Sequence, residues 1–323
     1  MHDSEATDTI KDIFENAEHP ERINLSVYNL YINESNNTEL MILKVKYGFK
    51  LYHQYIINSN YLNVIGMTKG RAVANSAYTN EDYILQIDSH TKFAKNWDTK
   101  LINLYEKIEL DKPIMTAFAS FYDSETRNWD TRNKYFVYPF YHICKCDDCK
   151  YSDKPWLPNW DLSYSLNDFN EKYKEEFYPC VKFNNQFAFS KYPFIKDKEN
   201  NQLGVGEDVI QSIELFKKGY QFVYPNIKES VIGHSWISNK RPRRASLIGD
   251  RENQAIEDIG KEISKAYILF NKEAVKKYAE YSGLEIYNDN ELHVKMEYKV
   301  PKDYQWKYGL TKIYVQVMVC VQK

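Results

Sequence analysis

With 43 basic against 45 acidic side chains in 323 residues, a formal charge of −2, the chain carries no general field to draw it onto nucleic acid or an anionic membrane. That length suits one catalytic domain of about 250 residues with a smaller appendage. No apolar run approaches the roughly 18 to 20 residues that span a bilayer, and the acidic start MHDSEATDTIKDIF has no signal-peptide core, so a cytoplasmic protein without a membrane span is expected.

In chain order, Ile10, Ile13, Phe14 and Ala17 recur at helical spacing, which predicts a helix over 8–18 with Asp8 or Thr9 as its cap. Branched and aromatic residues from Arg22 to Ile32 predict a strand, and Leu40 to Val45 reads as another. Gly70 precedes an expected helix, Arg71 to Tyr78. The run Tyr83 to Ile87 reads as a buried strand ending at Asp88. Trp97, Leu101, Leu104, Tyr105 and Ile108 share a helix face, and Pro113 to Ala119 returns as a strand. From about Phe121 to Cys180 no period is sustained, and a long irregular stretch of this kind is where acceptor contacts are expected. Lys182 to Phe189 predicts a strand, Glu207 to Lys217 a helix stopped by Gly219, and Gln221 to Tyr224 a short strand. A helix over 252–270 follows, then alternation over 284–323 that suggests further strands. The expected division is a catalytic domain over 1–270 and an extension of helix and strands over 271–323. Alternating helices and strands indicate an α/β sheet, whose ligands sit beyond the carboxyl ends of the strands.

Asp88 stands at such an end. In an extended segment residues i and i+2 point the same way, so Asp88 and His90 converge while Ser89 turns aside. A carboxylate with an imidazole is a partial ligand set for Mn²⁺, with Mg²⁺ or another divalent cation as the alternative. On spacing alone, a polar strand end is the preferred reading, since Asp-x-His also occurs by chance. The five Cys are an odd number, which fits a reducing compartment better than a disulfide framework. His142, Cys144, Cys146 and Cys149 offer four zinc ligands. Their spacing is tight for one tetrahedral centre, so reduced thiols are the preferred reading.

The stretch YILQIDSHTKFAKNWDTKLI resembles the signature of the cytoplasmic N-acetylglucosaminyltransferases that modify hydroxyproline on a ubiquitin-ligase adaptor. At longer range it is similar to the polypeptide N-acetylgalactosaminyltransferases. The likeness runs from Asp3 to about Ile286 and includes Thr9-Ile10, Pro20 to Ile23, Gly70 with Ala74, Gly206-Glu207-Asp208, Gly219-Tyr220 and Val231 to His234. It implies a GT-A (Rossmann-like) fold with a mixed, mainly parallel central sheet, here without the family's first strand. It implies a retaining transfer, most simply of N-acetylglucosamine, from a UDP-sugar donor to a protein or glycan acceptor, with His234 as the third metal ligand beside Asp88 and His90.

Glu207 and Asp208 would then hold sugar hydroxyls or position the acceptor, although acidic residues at a helix start also serve the dipole alone. The resemblance draws Asp3, Gly70, Arg71, Asn75 and Asp88 into the donor site. Asn75 stands where the family has Arg, and Arg71 is the cation placed to compensate. Lys240 and Arg241, close after His234, either close over the diphosphate or form a solvated loop. Two other functions stay open. One is an inverting transferase with Asp208 as base; the other is a non-catalytic glycan- or partner-binding descendant.

Overall fold

The computed structural model describes residues 5–31, 38–55, 67–129, 176–180, 183–194, 207–225, 229–235, 270–282, 284–286 and 294–296, together with Ile227, Gln254, Asp258, Ile263, Ala266 and Tyr267. Helix α1 (Ala6–Glu15) carries the expected face, with Ile10, Ile13 and Phe14 buried. It begins earlier than predicted, and its N-cap is Glu5 without a side-chain cap. Thr9 therefore lies inside the helix, and its hydroxyl is used elsewhere. Strand β1 (Ser26–Tyr31) follows a short 3₁₀ turn at Pro20–Arg22.

The segment expected as a strand at Leu40 is helix α2 (Thr38–Tyr47), with Leu40 and Leu43 buried. Gly48 at φ +72° ends it, its N–H donating to the Lys44 carbonyl. This is a helix stop that an L side chain would adopt only at a cost. Strand β2 (Lys50–Tyr55) then pairs in parallel with β1, Ser26 opposite Lys50. A parallel pair needs a crossover connection, and α2 supplies it. Gly70 does not precede the next helix but lies within it, in α3 (Met67–Asn75). A Cβ on Gly70 would stand 2.8 Å from Tyr28 Cδ1 of β1, so glycine allows α3 to approach the strand.

Strand β3 (Ile84–Ile87) ends at Asp88 as expected. Strand β4 (Thr91–Phe93) and helix α4 (Trp97–Tyr105) come next, followed by β5 (Pro113–Thr116) and β6 (Ser120–Phe121). Trp97, Leu101, Leu104 and Tyr105 are buried, and each such side chain removed from water contributes about 1.5–3 kcal/mol. Strands β7 (Phe177–Cys180) and β8 (Phe187–Ser190), helix α5 (Glu207–Lys217), and strands β9 (Gln221–Pro225) and β10 (Ile232–His234) complete the central body. The predicted bounds of α5 are the observed ones. Gly219, at φ +83°, donates to the Phe216 carbonyl and stops the helix. Beyond it, α6 (Lys272–Ser282) lays the fully buried Tyr278 against Phe216 of α5, and β11 (Leu284–Ile286) pairs with β12 (Val294–Met296).

The five-stranded sheet has the order β3-β8-β5-β9-β7. The α/β class and mixed sheet agree with expectation; the mainly parallel direction does not. Only β5–β9 is parallel there, while β3–β8, β5–β8 and β7–β9 are antiparallel. Strands β3 and β5 do run the same way, linked through α4, but β8 inserts between them and opposes both. A separate small sheet, β4-β10-β6, packs near α1. No helix among the described residues is long and apolar enough to cross a membrane.

Candidate metal centre

The turn from Asp88 to Thr91 leaves the large sheet at β3 and enters the small one at β4. It is pinned from three sides. Thr91 Oγ1 donates to the Asp88 carbonyl at 2.6 Å. Thr9 Oγ1 of α1 accepts from Thr91 N–H at 2.9 Å and shares its single proton between the carbonyls of Ser89 (2.7 Å) and Thr91 (2.9 Å). Ser235 N–H donates to the His90 carbonyl at 3.3 Å. Helix α1 is itself held in place. Trp97 Nε1 donates to the Ile13 carbonyl, Asn16 Nδ2 to that of Phe93, and Arg127 pairs with Asp12 at 2.6 Å.

Strand β10 brings in the distant residue. Its antiparallel register with β4 sets His234 opposite Thr91, and its parallel register with β6 sets Gly233 opposite Ser120. Gly233 is required by a close approach. A Cβ there would lie 2.5 Å from Trp129 Cζ3 and 3.2 Å from Tyr122 Cδ1, rings that cover that side of the strand. His234 is buried at 4% exposure.

Asp88, His90 and His234 each offer one ligand atom, and these atoms all lie within 4.8 Å of one another. His234 Nε2 stands 3.2 Å from Asp88 Oδ2, and the two imidazoles meet at 66° with centroids 4.4 Å apart. Arg71 of α3 donates to Asp88 Oδ1 at 2.7 Å. Burial pushes the Asp88 carboxyl up, but the His234 hydrogen bond and the charges of Arg71, His234 and His90 outweigh it and hold the group well below the usual carboxylate range. One carboxylate and two imidazoles converging at strand ends are a donor set that fits a divalent cation.

The other expected site residues fall in different places. Gly70 and Asn75 are on α3, Asn75 one helical turn beyond Arg71. Glu207 and Asp208 open α5. Asp3, Lys240, Arg241 and the His142 to Cys149 cluster lie outside the described residues. Two residues that the sequence does not assign to the site join Asp208. Asn185 donates through Nδ2 to Asp208 Oδ1, and accepts at Oδ1 from Gln86 Nε2 at 2.6 Å. The signal for Gln86 was present: one amide in the otherwise apolar run Ile84 to Ile87. Asn185 had none, because nothing local distinguishes a network Asn from a turn Asn.

A family model described as Glycosyltransferase (GlcNAc) matches residues 37–280. Among solved structures, the chain is similar to GalNAc-T7 with UDP, GalNAc and Mn²⁺, at 12% identity and a TM-score of 0.48, over 86% of this chain and 52% of that one. The chain thus spans about half the length of that structure. No curated protein matches it.

Proposed function

We propose a reaction from one premise, that the chain belongs to the glycosyltransferase (GlcNAc) family: it moves N-acetylglucosamine from its UDP-sugar to a protein hydroxyl, with retention, using Mn²⁺ held by Asp88, His90 and His234. The observation that carries this reading is the convergence of those three side chains from two different strand ends. The hard carboxylate and two imidazoles suit Mn²⁺. When bound, the cation supplies the positive charge that neutralises the departing diphosphate.

The chain's own residues do the rest. Arg71, fixed against Asp88 at 2.7 Å, brings a planar guanidinium whose fork matches phosphate oxygens. Asp3, Gly70, Asn75, Lys240 and Arg241 complete the donor site in this reading. Glu207 and Asp208 stand at the start of α5, where they hold sugar hydroxyls or orient the acceptor. Retention, the N-acetylglucosamine donor, the protein acceptor and a cytoplasmic location rest on the likeness to the hydroxyproline-modifying enzymes.

The test is Mn²⁺-dependent hydrolysis across a panel of UDP-sugars. Turnover should vanish with a chelator and fall at least about 100-fold in Asp88→Ala and His234→Ala. The product anomer, read by NMR, should match that of the donor. If no donor is bound or hydrolysed, the reading fails.

A further inference from the structure

Gln86 is out of place in its strand. Its neighbours Ile84, Leu85 and Ile87 are apolar, it lies opposite Ala188 of β8, and it is buried at 7% exposure. Its Oε1 is buried and has no hydrogen-bond partner among the described residues. A buried amide with an unsatisfied oxygen is costly, and an apolar side chain of similar size would remove that cost. What Gln86 does make is one directed contact. Its Nε2 donates to Asn185 Oδ1, which turns the Asn185 Nδ2 onto Asp208 Oδ1. Asn185 is also buried, at 5% exposure.

The direction of this chain follows from its end. An ionised carboxylate only accepts, so Asn185 must present its NH₂ to Asp208 and its oxygen to Gln86. Asn185 stands in the turn before β8 and is tied to α5 on one side and β3 on the other. Gln86 also leaves β3 on the same face as Asp88, two residues on. We infer that Gln86 and Asn185 are positioning residues: a one-way amide relay that aims the Asp208 carboxylate, relative to the strand bearing Asp88, at the hydroxyl it holds. A carboxylate has about four acceptor sites, so one amide donor orients it without exhausting it. The inference rests on the reading of Asp208 as a substrate contact.

The test uses Gln86→Met, with Asn185→Leu as a second variant of nearly native shape, and measures melting and turnover of UDP-N-acetylglucosamine with Mn²⁺. Gln86→Met removes an unsatisfied oxygen but leaves the buried Asn185 Oδ1 without its donor, and since the two offset in part its Tm should fall by no more than about 4 °C. Its kcat should fall about tenfold while KM for the donor stays within about twofold. In an Asp208→Asn background the same substitution should cost nothing further, since the relay then has no carboxylate to aim. Asn185→Leu should show the same split and the same non-additivity.

Wild-type kcat in both variants overturns the inference, as does an effect that persists beside Asp208→Asn, or an Asp208→Asn enzyme with full activity. If the wild type turns over no donor, the proposed function falls and the relay, which rests on it, falls with it; a wild type that turns over donor beside variants of unchanged kcat overturns the relay alone.

Discussion

At Asp88 two cations compete for one carboxylate. Arg71 already holds Oδ1 at 2.7 Å, with both side chains largely buried, and a divalent ion entering the cluster must share that charge. A guanidinium beside the ion also repels it until an anion arrives, so metal and nucleotide diphosphate should bind with strong positive coupling. Arg71→Met should therefore tighten Mn²⁺ binding in the absence of nucleotide by about five- to tenfold and reduce the gain that UDP brings. Calorimetry or Mn²⁺ spectroscopy without substrate checks this, and equal affinity in both proteins would sink it. Half of this site was legible in the sequence. Two ligands at i and i+2 on a strand end follow from pleat geometry alone, but the third lies 146 residues from Asp88, and only likeness to a family pointed to it. Arg71 was noticed as a cation, yet its partner was not, because no local spacing pairs a mid-helix Arg with a strand-end Asp.

Among the elements, α2 shows how a short apolar run misleads. Leu40 to Val45 has the composition of a strand, yet Gly48 just beyond it was a helix stop, and Leu40 and Leu43 share one face. Strands β4 and β10 are three residues each and too short to show alternation, although together they assemble the centre. Among the described glycines, Gly233 of β10 has the closest neighbours. Ala at Gly233 would press on Trp129 and Tyr122, and either the rings or the strand must yield. Gly233→Ala should cost about 1–3 kcal/mol in denaturant melts and weaken Mn²⁺ binding, because the displaced strand carries His234. Adding Trp129→Leu should recover most of both. A Gly233→Ala protein as stable as the wild type would remove the argument.

For the molecule as a whole, the α/β class followed from alternating helices and strands, but the division into sheets did not, since strand order depends on contacts far apart in sequence. The parallel β1–β2 pair and the five-stranded sheet beginning at β3 are separate among the described residues, and one clasp joins the loops that enter them. Asn24, two residues before β1, donates to the Glu81 carboxylate, three residues before β3, while Thr79 donates to it from N–H (2.7 Å) and hydroxyl (2.9 Å). Burial raises the Glu81 carboxyl, but the backbone N–H groups of Thr79 and Glu81, the Thr79 hydroxyl and Asn24 prevail and bring it to about 2, from an ordinary 4.5. A carboxyl lower in the folded state stabilises fully above its unfolded value and loses that contribution as pH falls through the folded one. The clasp should thus hold above about pH 4.5 and fade toward pH 2. Glu81→Gln should be less stable than the wild type at neutral pH, with the two stabilities converging as the medium approaches pH 2. The other described carboxylates held low, Glu15, Glu39, Asp88 and Glu214, contribute to the acid limb of both proteins, so the difference between the curves isolates Glu81. Denaturant melts at a series of pH values from 7 down to about 2.5 measure that difference, and curves that stay parallel throughout would show that the clasp carries no charge-dependent stability.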